Sequence, residues 1–291
     1  MEELTLAVRP VERIFTAPRA SDGDGVQLRR AFPGGALMDL DPFLLLDQMG
    51  PMEVAPGQAR GFPPHPHRGF ETVTYLLSGE MQHRDSWGNH GLLGPGDVQW
   101  MTAGSGLVHS ELPGEGLVRD GGKLLGFQLW INLPRKDKMI APRYQDTASE
   151  RIPVARSSDG SVSVKVIAGE SLGVKGVIET RIPILYLHVT LQPGAEFEQT
   201  IAAGLNAFAY VVEGEVSLDG KTAGASQVAL FGRGDAVTAR NTGKEPASFL
   251  LIAGQPIGEP VARYGPFVMN TRTELMQAVE DFQAGKMGVL E

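Results

Sequence analysis

His65-Pro-His-Arg-Gly-Phe-Glu-Thr-Val-Thr-Tyr-Leu-Leu-Ser-Gly-Glu80 carries a strand signal and a ligand signal together. From Phe70 onward the stretch is rich in aromatic and β-branched residues and stops at Ser-Gly, as a buried strand ends at a turn. At its start, two histidines flank a single residue. Side chains of an extended strand alternate between faces, so His65 and His67 point the same way. The same spacing returns at His109-Ser-Glu111. Two such strands facing each other gather three imidazoles and one carboxylate, a donor set suited to a first-row transition metal. The chain has six histidines and no cysteine, so half of its imidazoles fall in these pairs and no thiolate competes for the ion.

Outward from this stretch, composition bounds the rest. A chain of 291 residues forms one large domain or two smaller ones. Hydrophobic residues make up 42% and charged residues 21%, ordinary for a globular protein. Thirty-seven glycines and twenty prolines, spread between short runs of Val, Leu, Thr, Phe and Tyr, read as turns of an all-β sandwich or barrel. The net charge of −8 disfavours direct nucleic-acid binding, which needs clustered Lys and Arg. The densest basic run, Arg135-Lys-Asp-Lys138, is short and reads as a solvated loop. No stretch approaches membrane-spanning length, so no membrane partner is expected. Met1-Glu-Glu-Leu-Thr-Leu6 lacks a secretory pattern, and the absence of cysteine fits a reducing cytoplasm, the expected location.

The chain also echoes itself. Tyr75-Leu-Leu-Ser-Gly-Glu80 matches Tyr210-Val-Val-Glu-Gly-Glu215, and Gly94-Pro-Gly-Asp97 matches Gly232-Arg-Gly-Asp235 at a similar offset. Counted from these words, the counterparts of the four candidate ligands are Thr200, Ala202, Ala247 and Phe249, so the second half has the scaffold without the donors. One metal site is expected, in a domain spanning 1–140, followed by a ligand-free domain spanning 141–291. His188, in a strand-like run of the second half, reads as structural. Thr271-Arg-Thr-Glu274 is a capping box. Leu275, Met276, Val279 and Phe282 follow at helical spacing, and Gly285 supplies a stop, so the chain is expected to end in a surface-packed helix.

Further words occur in a fixed order after the opening stretch: Gly94-Pro-Gly-Asp-Val-Gln-Trp-Met-Thr-Ala-Gly104, Gly106-Leu-Val-His-Ser-Glu111 and Phe127-Gln-Leu-Trp-Ile-Asn-Leu-Pro134. Together they resemble the pirin family of the cupin superfamily, most closely from Asp41 to Tyr144. The resemblance implies an all-β chain with two cupin (jelly-roll-like) β-barrel domains in tandem and a C-terminal helix. It implies Fe(II), held by His65, His67, His109 and Glu111, although nickel, cobalt, manganese or zinc suits the same donors. Glu71, four residues after His67, is then not a ligand. The activity implied is quercetin 2,3-dioxygenase, in which dioxygen opens the central ring of a flavonol with release of carbon monoxide, and Glu111 is the general base. An alternative implied by the same family is an iron-dependent redox-sensing regulatory protein acting through protein partners.

Around the site, Arg68 and Gln128 are candidates to orient the imidazoles, and Phe62, Trp100, Met101 and Phe127 to wall a substrate pocket. His83 and His90 flank a hairpin and read as exposed. A monomer is expected.

Overall fold

The structure is a computed structural model describing residues 6–290, so the first five residues of the acidic N-terminal stretch lie outside the described residues. Its secondary structure is almost entirely strand, arranged in two compact units of like design. One unit comprises residues 18–149 and 257–291. Its seven-stranded sheet runs Arg143–Thr147, Val98–Thr102, Phe70–Ser78, Gly122–Asn132, Phe43–Val54, Val26–Phe32, Arg19–Asp22 in spatial order. A four-stranded sheet runs Phe62–His67, Leu107–Pro113, Met81–Asp85, His90–Leu93. The other unit repeats the plan. Its seven strands are Val11–Thr16, Gln227–Phe231, Asn206–Glu213, Ala247–Gly254, Ile184–Leu191, Val162–Ala168 and Val154–Arg156. Its four are Glu196–Thr200, Ala236–Arg240, Glu215–Leu218 and Lys221–Gly224. Every pairing between these strands is antiparallel. Each unit is a jelly-roll-like pair of sheets, one of seven strands and one of four. The expected closed barrels are not formed, because each sheet keeps two edges and its ladder does not return on itself.

The division of the chain differs from the linear one at 140. After the short turn Arg135–Asp137 the chain returns as Arg143–Thr147, an edge strand of the first unit's large sheet, and crosses to the other unit only after Ser149. The termini are exchanged as well. Val11–Thr16 pairs with Gln227–Phe231 in the second unit, whereas everything from Ile257 onward, including the last helix, belongs to the first.

The internal echo holds for one matched word and slips for the other. Tyr75 and Tyr210 both lie buried in equivalent central strands, Phe70–Ser78 and Asn206–Glu213. Gly94–Asp97 precedes Val98–Thr102, whereas Gly232–Asp235 follows the equivalent strand, Gln227–Phe231. The counterpart of the His109 strand is therefore Ala236–Arg240, not the strand carrying Ala247 and Phe249. The conclusion survives the correction, since neither Ala236–Arg240 nor Glu196–Thr200 contains histidine.

The last helix, Arg272–Gln283, starts as its sequence dictates. Thr271 accepts from the Glu274 amide, and the Glu274 carboxylate accepts from the Thr271 amide, the reciprocal capping box. Gly285 follows in the left-handed region, φ +71°. Leu275 and Ala278 are buried with Val108, Phe267, Met269 and Met287, and Val279 packs against them. Met276 is 53% exposed, one position off the buried stripe. On the inner face, Asp281 accepts from Arg68 Nη1 at 2.8 Å, and Arg68 Nε donates to the Ser105 carbonyl at 2.7 Å. Lys138 corrects the expected solvated loop. It is 1% exposed, and its ammonium donates to Asn132 Oδ1 and to the Gly69 and Val268 carbonyls at 2.6, 2.7 and 3.0 Å, with burial bringing its pKa down to about 8.

Two outcomes follow for stability. Asp281→Ala leaves the buried Arg68 guanidinium without its carboxylate and is expected to cost about 3 kcal/mol in chemical denaturation. In the second unit, burial and then Lys165 bring the His188 pKa down to about 4. Between that value and an unfolded value of about 6.5 only the unfolded chain binds this proton. Stability should thus fall as pH drops through that window, by no more than about 3 kcal/mol from this group. His188→Gln should flatten that part of the profile, read as the urea midpoint at pH 7 and at pH 4.5.

Candidate metal centre

The strand Phe62–His67 contains three prolines, which cannot donate to a ladder and are tolerated only at a sheet edge. It is the edge strand of the four-stranded sheet and is paired on one side, with Leu107–Pro113. In that pairing His109 lies directly across from His65, and Leu107 across from His67. The register shifts between His109 and Glu111, so that Glu111 meets Phe62. The bulge accommodates the Pro63-Pro64 step while leaving the imidazoles on the inner face.

The three Nε2 atoms converge. His65 Nε2 lies 3.0 Å from His67 Nε2 and 3.0 Å from His109 Nε2. Two donors bound at right angles to one ion, each at about 2.1 Å, would be separated by about 3.0 Å. The arrangement thus fits a first-row metal shared by the three rings, and among the described residues these three form the one histidine or carboxylate group gathered tightly enough to hold one. His65 Nδ1 lies 2.8 Å from the Pro63 carbonyl, a contact that fixes its proton on Nδ1 and leaves Nε2 as the ligand atom. His67 and His109 are 2% and 0% exposed. Burial, and next the neighbouring His65, pushes both pKa values well below the usual histidine range, and for His67 the Pro266 backbone partly opposes this. Both rings are neutral at physiological pH, the form that ligates a metal.

Glu111 stands outside that tight group. It is 1% exposed, and its two oxygens accept from Thr74 Oγ1 at 2.9 Å and Gln128 Nε2 at 2.8 Å. Trp130 Nε1 in turn donates to Gln128 Oε1 at 3.1 Å. Trp130 packs edge-on against His67, centroids 5.1 Å apart, and against Phe70 at 4.5 Å. The carboxylate is thus held by a hydrogen-bonded chain that begins at an indole touching a candidate ligand.

His65 and His67 open onto a cavity of about 540 Å³, within the range of drug-sized ligand sites. Of the predicted pocket residues, Phe62 and Gln128 line it; the other four do not. Arg68 is committed to Asp281 and Ser105. Trp100 pairs with Val73 and Phe127 with Tyr75, on the sheet face opposite Gln128, and both are fully buried. Met101 shares the inner face but is packed against Ala103, Leu107 and Tyr144. Glu71 also faces away and accepts from Thr102 Oγ1 at 2.6 Å. His83, expected to be exposed, is 1% exposed, stacked on Tyr144 and 3.3 Å from Asp146 Oδ2; His90 is exposed.

The sequence reading missed Trp130, Arg30, Asp47, Arg263 and Pro266 in the cavity wall. Trp130 was accessible by parity, two residues beyond Gln128. Arg263 and Pro266 come from the C-terminal segment, and no local signal announced them. A cavity of about 600 Å³ in the second unit, bounded by Glu170, Lys175 and Gln199, contains no histidine, and the Gln199 amide is already bonded to two carbonyls.

Comparison with known proteins agrees with this architecture. The profile of a family described as Pirin matches residues 25–131, and that of the Pirin C-terminal cupin domain matches residues 186–288. A Pirin-like protein of Solanum lycopersicum is 49% identical, with 96% of this chain and 93% of that protein covered. A Pirin-like protein of Caulobacter vibrioides is 46% identical over 97% of this chain and 100% of its own. A crystal structure described as quercetin 2,3-dioxygenase from Acinetobacter baumannii superposes with a TM-score of 0.91 at 36% identity, covering 98% of this chain and all of that one.

Because the strands hold the three rings in place, His67→Ala should empty the centre without unfolding it. Elemental analysis of protein purified without a chelating tag is expected to find first-row metal in the parent chain and at least about tenfold less in the variant, with an unchanged far-ultraviolet circular dichroism spectrum.

Proposed function

The chain belongs to the pirin family, and from that premise we propose that it is a metal-dependent dioxygenase of quercetin 2,3-dioxygenase type, opening the central ring of a flavonol-like aromatic. The observation that carries this reading is the convergence of three imidazoles at the edge of an aromatic-walled cavity. The likeness at 36% identity to a structure described as quercetin 2,3-dioxygenase supports it. His65, His67 and His109 are proposed as the ligands of iron(II), with Glu111 completing the set. Iron(II) held there would supply Lewis acidity toward the hydroxyl and carbonyl oxygens of the substrate and the redox capacity that dioxygen chemistry needs.

The protein's own groups do the rest. Phe62 and Trp130 supply apolar wall beside the substrate rings. Glu111 takes the proton of the flavonol 3-hydroxyl, and Thr74 and Gln128 hold the carboxylate in place. Trp130 couples the two tasks, since the indole that walls the cavity also fixes Gln128. The acidic net charge of −8 favours a second reading, a redox-sensing role through protein partners, over nucleic-acid contact.

Protein loaded anaerobically with iron(II) and then given quercetin and oxygen should lose the flavonol absorbance and release carbon monoxide. Glu111→Gln should lower kcat by about a hundredfold while most of the metal stays on the imidazoles. Iron-loaded protein that neither bleaches the flavonol nor releases carbon monoxide would sink the proposal.

A further inference from the structure

The rim of the cavity holds charge that the proposed reaction does not use. Three carboxylates line it, and each already has a guanidinium partner. Arg30 binds Asp47 through Nε and Nη2 at 2.9 and 2.7 Å and Asp22 through Nη2 at 2.7 Å. Asp24 pairs with Arg60 at 3.4 Å. The remaining cation of the lining, Arg263, differs. Its guanidinium carbon lies 4.9 Å from the centroid of the Trp130 ring, and Nη1 donates to the Leu44 carbonyl at 3.0 Å. Among the described residues no carboxylate lies within ion-pair distance of it, and Nε and Nη2 have no protein acceptor.

We propose that Arg263 is the anion anchor of this cavity, so that the site selects planar aromatic molecules bearing an ionised oxygen, a carboxylate or phenolate, that meets this guanidinium. Trp130 sets the geometry. Its ring meets His67 edge-on at 5.1 Å and carries the guanidinium at 4.9 Å from its centroid. A flat ligand in the cavity beside the indole lies within reach of both the candidate ligands and the cation. The stack also fixes the plane of the guanidinium, so its free N–H groups are presented in the fork geometry that matches a carboxylate or phenolate. Arg30 is shared between Asp47 and Asp22, and Asp47 also attracts Arg263, so an incoming anion competes with the rim carboxylates for the exposed guanidinium. Arg263 sits on the hairpin Ala262–Met269, whose Gly265 and Pro266 also line the cavity, so the C-terminal segment contributes the selective residue to a site built by the N-terminal half.

This inference deepens the dioxygenase reading, and its test is separable from it. Metal-stripped full-length protein is titrated calorimetrically with 2-naphthoate and with 2-naphthamide, the same ring with and without charge. The parent chain is expected to bind the carboxylate about tenfold more tightly than the amide. Arg263→Gln should remove that preference by weakening 2-naphthoate about tenfold while changing the amide less than about twofold, and Arg263→Lys should restore part of it. Equal binding of the two probes, no binding of 2-naphthoate, or an unchanged preference in Arg263→Gln would each overturn the anchor and leave a solvated rim arginine. In iron-loaded protein, Arg263→Gln should raise KM for a sulfonated flavonol with kcat unchanged. Protein that bleaches no flavonol yet shows the charge preference would retain the anchor and lose only the dioxygenase.

Discussion

Everything at the candidate centre depends on the register between one proline-rich edge strand and its single neighbour. His65 meets His109 only because Phe62–His67 pairs with Leu107–Pro113 as it does, and a slip of one residue would turn both histidines of the edge strand to the opposite face. Prolines weaken that ladder, so the register needs support from elsewhere. Gly61 packs so closely that a Cβ there would lie 2.5 Å from the Glu111 carbonyl oxygen, which fixes one end of the strand. At the other end, Arg68 is tied to Ser105 and Asp281, and Gly69, at φ +89°, has its carbonyl held by Lys138. A side chain at Gly69 would meet the Val268 carbonyl head-on.

These fasteners explain where the chain places its last segment. Asp281 and the Val268 carbonyl both belong to residues 257–291, which return to the first unit after the second is complete. The segment therefore does more than cover apolar surface. Through Asp281 it fixes the residue after His67, and through Arg263 and Pro266 it forms part of the cavity wall. A buried ion pair is seldom worth much in net stability, but it is demanding of geometry, and geometry is what a ligand strand with three prolines lacks.

Much of this was legible in the sequence. Runs of Val, Leu, Thr, Phe and Tyr broken by Gly and Pro announced an all-β chain, the His-x-His spacing and His109 pointed to three imidazoles that the fold does gather, while Glu111 stands outside that group, and the Thr271–Glu274 box announced the final helix. The errors share two physical causes. One is parity. Gln128 on the inner face forces Phe127 outward and Trp130 inward, and the same alternation sends Trp100 away from the site, so the aromatic residue that matters was two positions from one already chosen. The other is distance along the chain. Arg263, Pro266 and the partners of Lys138 and Arg68 are brought in by tertiary folding, to which local pattern is blind. The slipped match of Gly232–Asp235 has a similar origin, since Gly-Asp turns recur at several strand ends and do not say which end they mark.

The second unit shows what the scaffold does without donors. Its strands equivalent to those of the centre, Glu196–Thr200 and Ala236–Arg240, send Phe197, Val237 and Ala239 into a continuous apolar core with Phe249. Close packing of such side chains stabilises the sheets directly. In the first unit the same space holds desolvated imidazoles, a carboxylate and an open cavity, none of which contributes comparable burial. The polar groups there are kept by a connected network, Trp130 to Gln128 to Glu111 to Thr74, and by ion pairs and buried hydrogen bonds gathered around the ligand strand. The contrast between two units of one plan argues that Lys138, Arg68 and Asp281 are where they are because a cavity lined by histidines needs bracing that an apolar core does not.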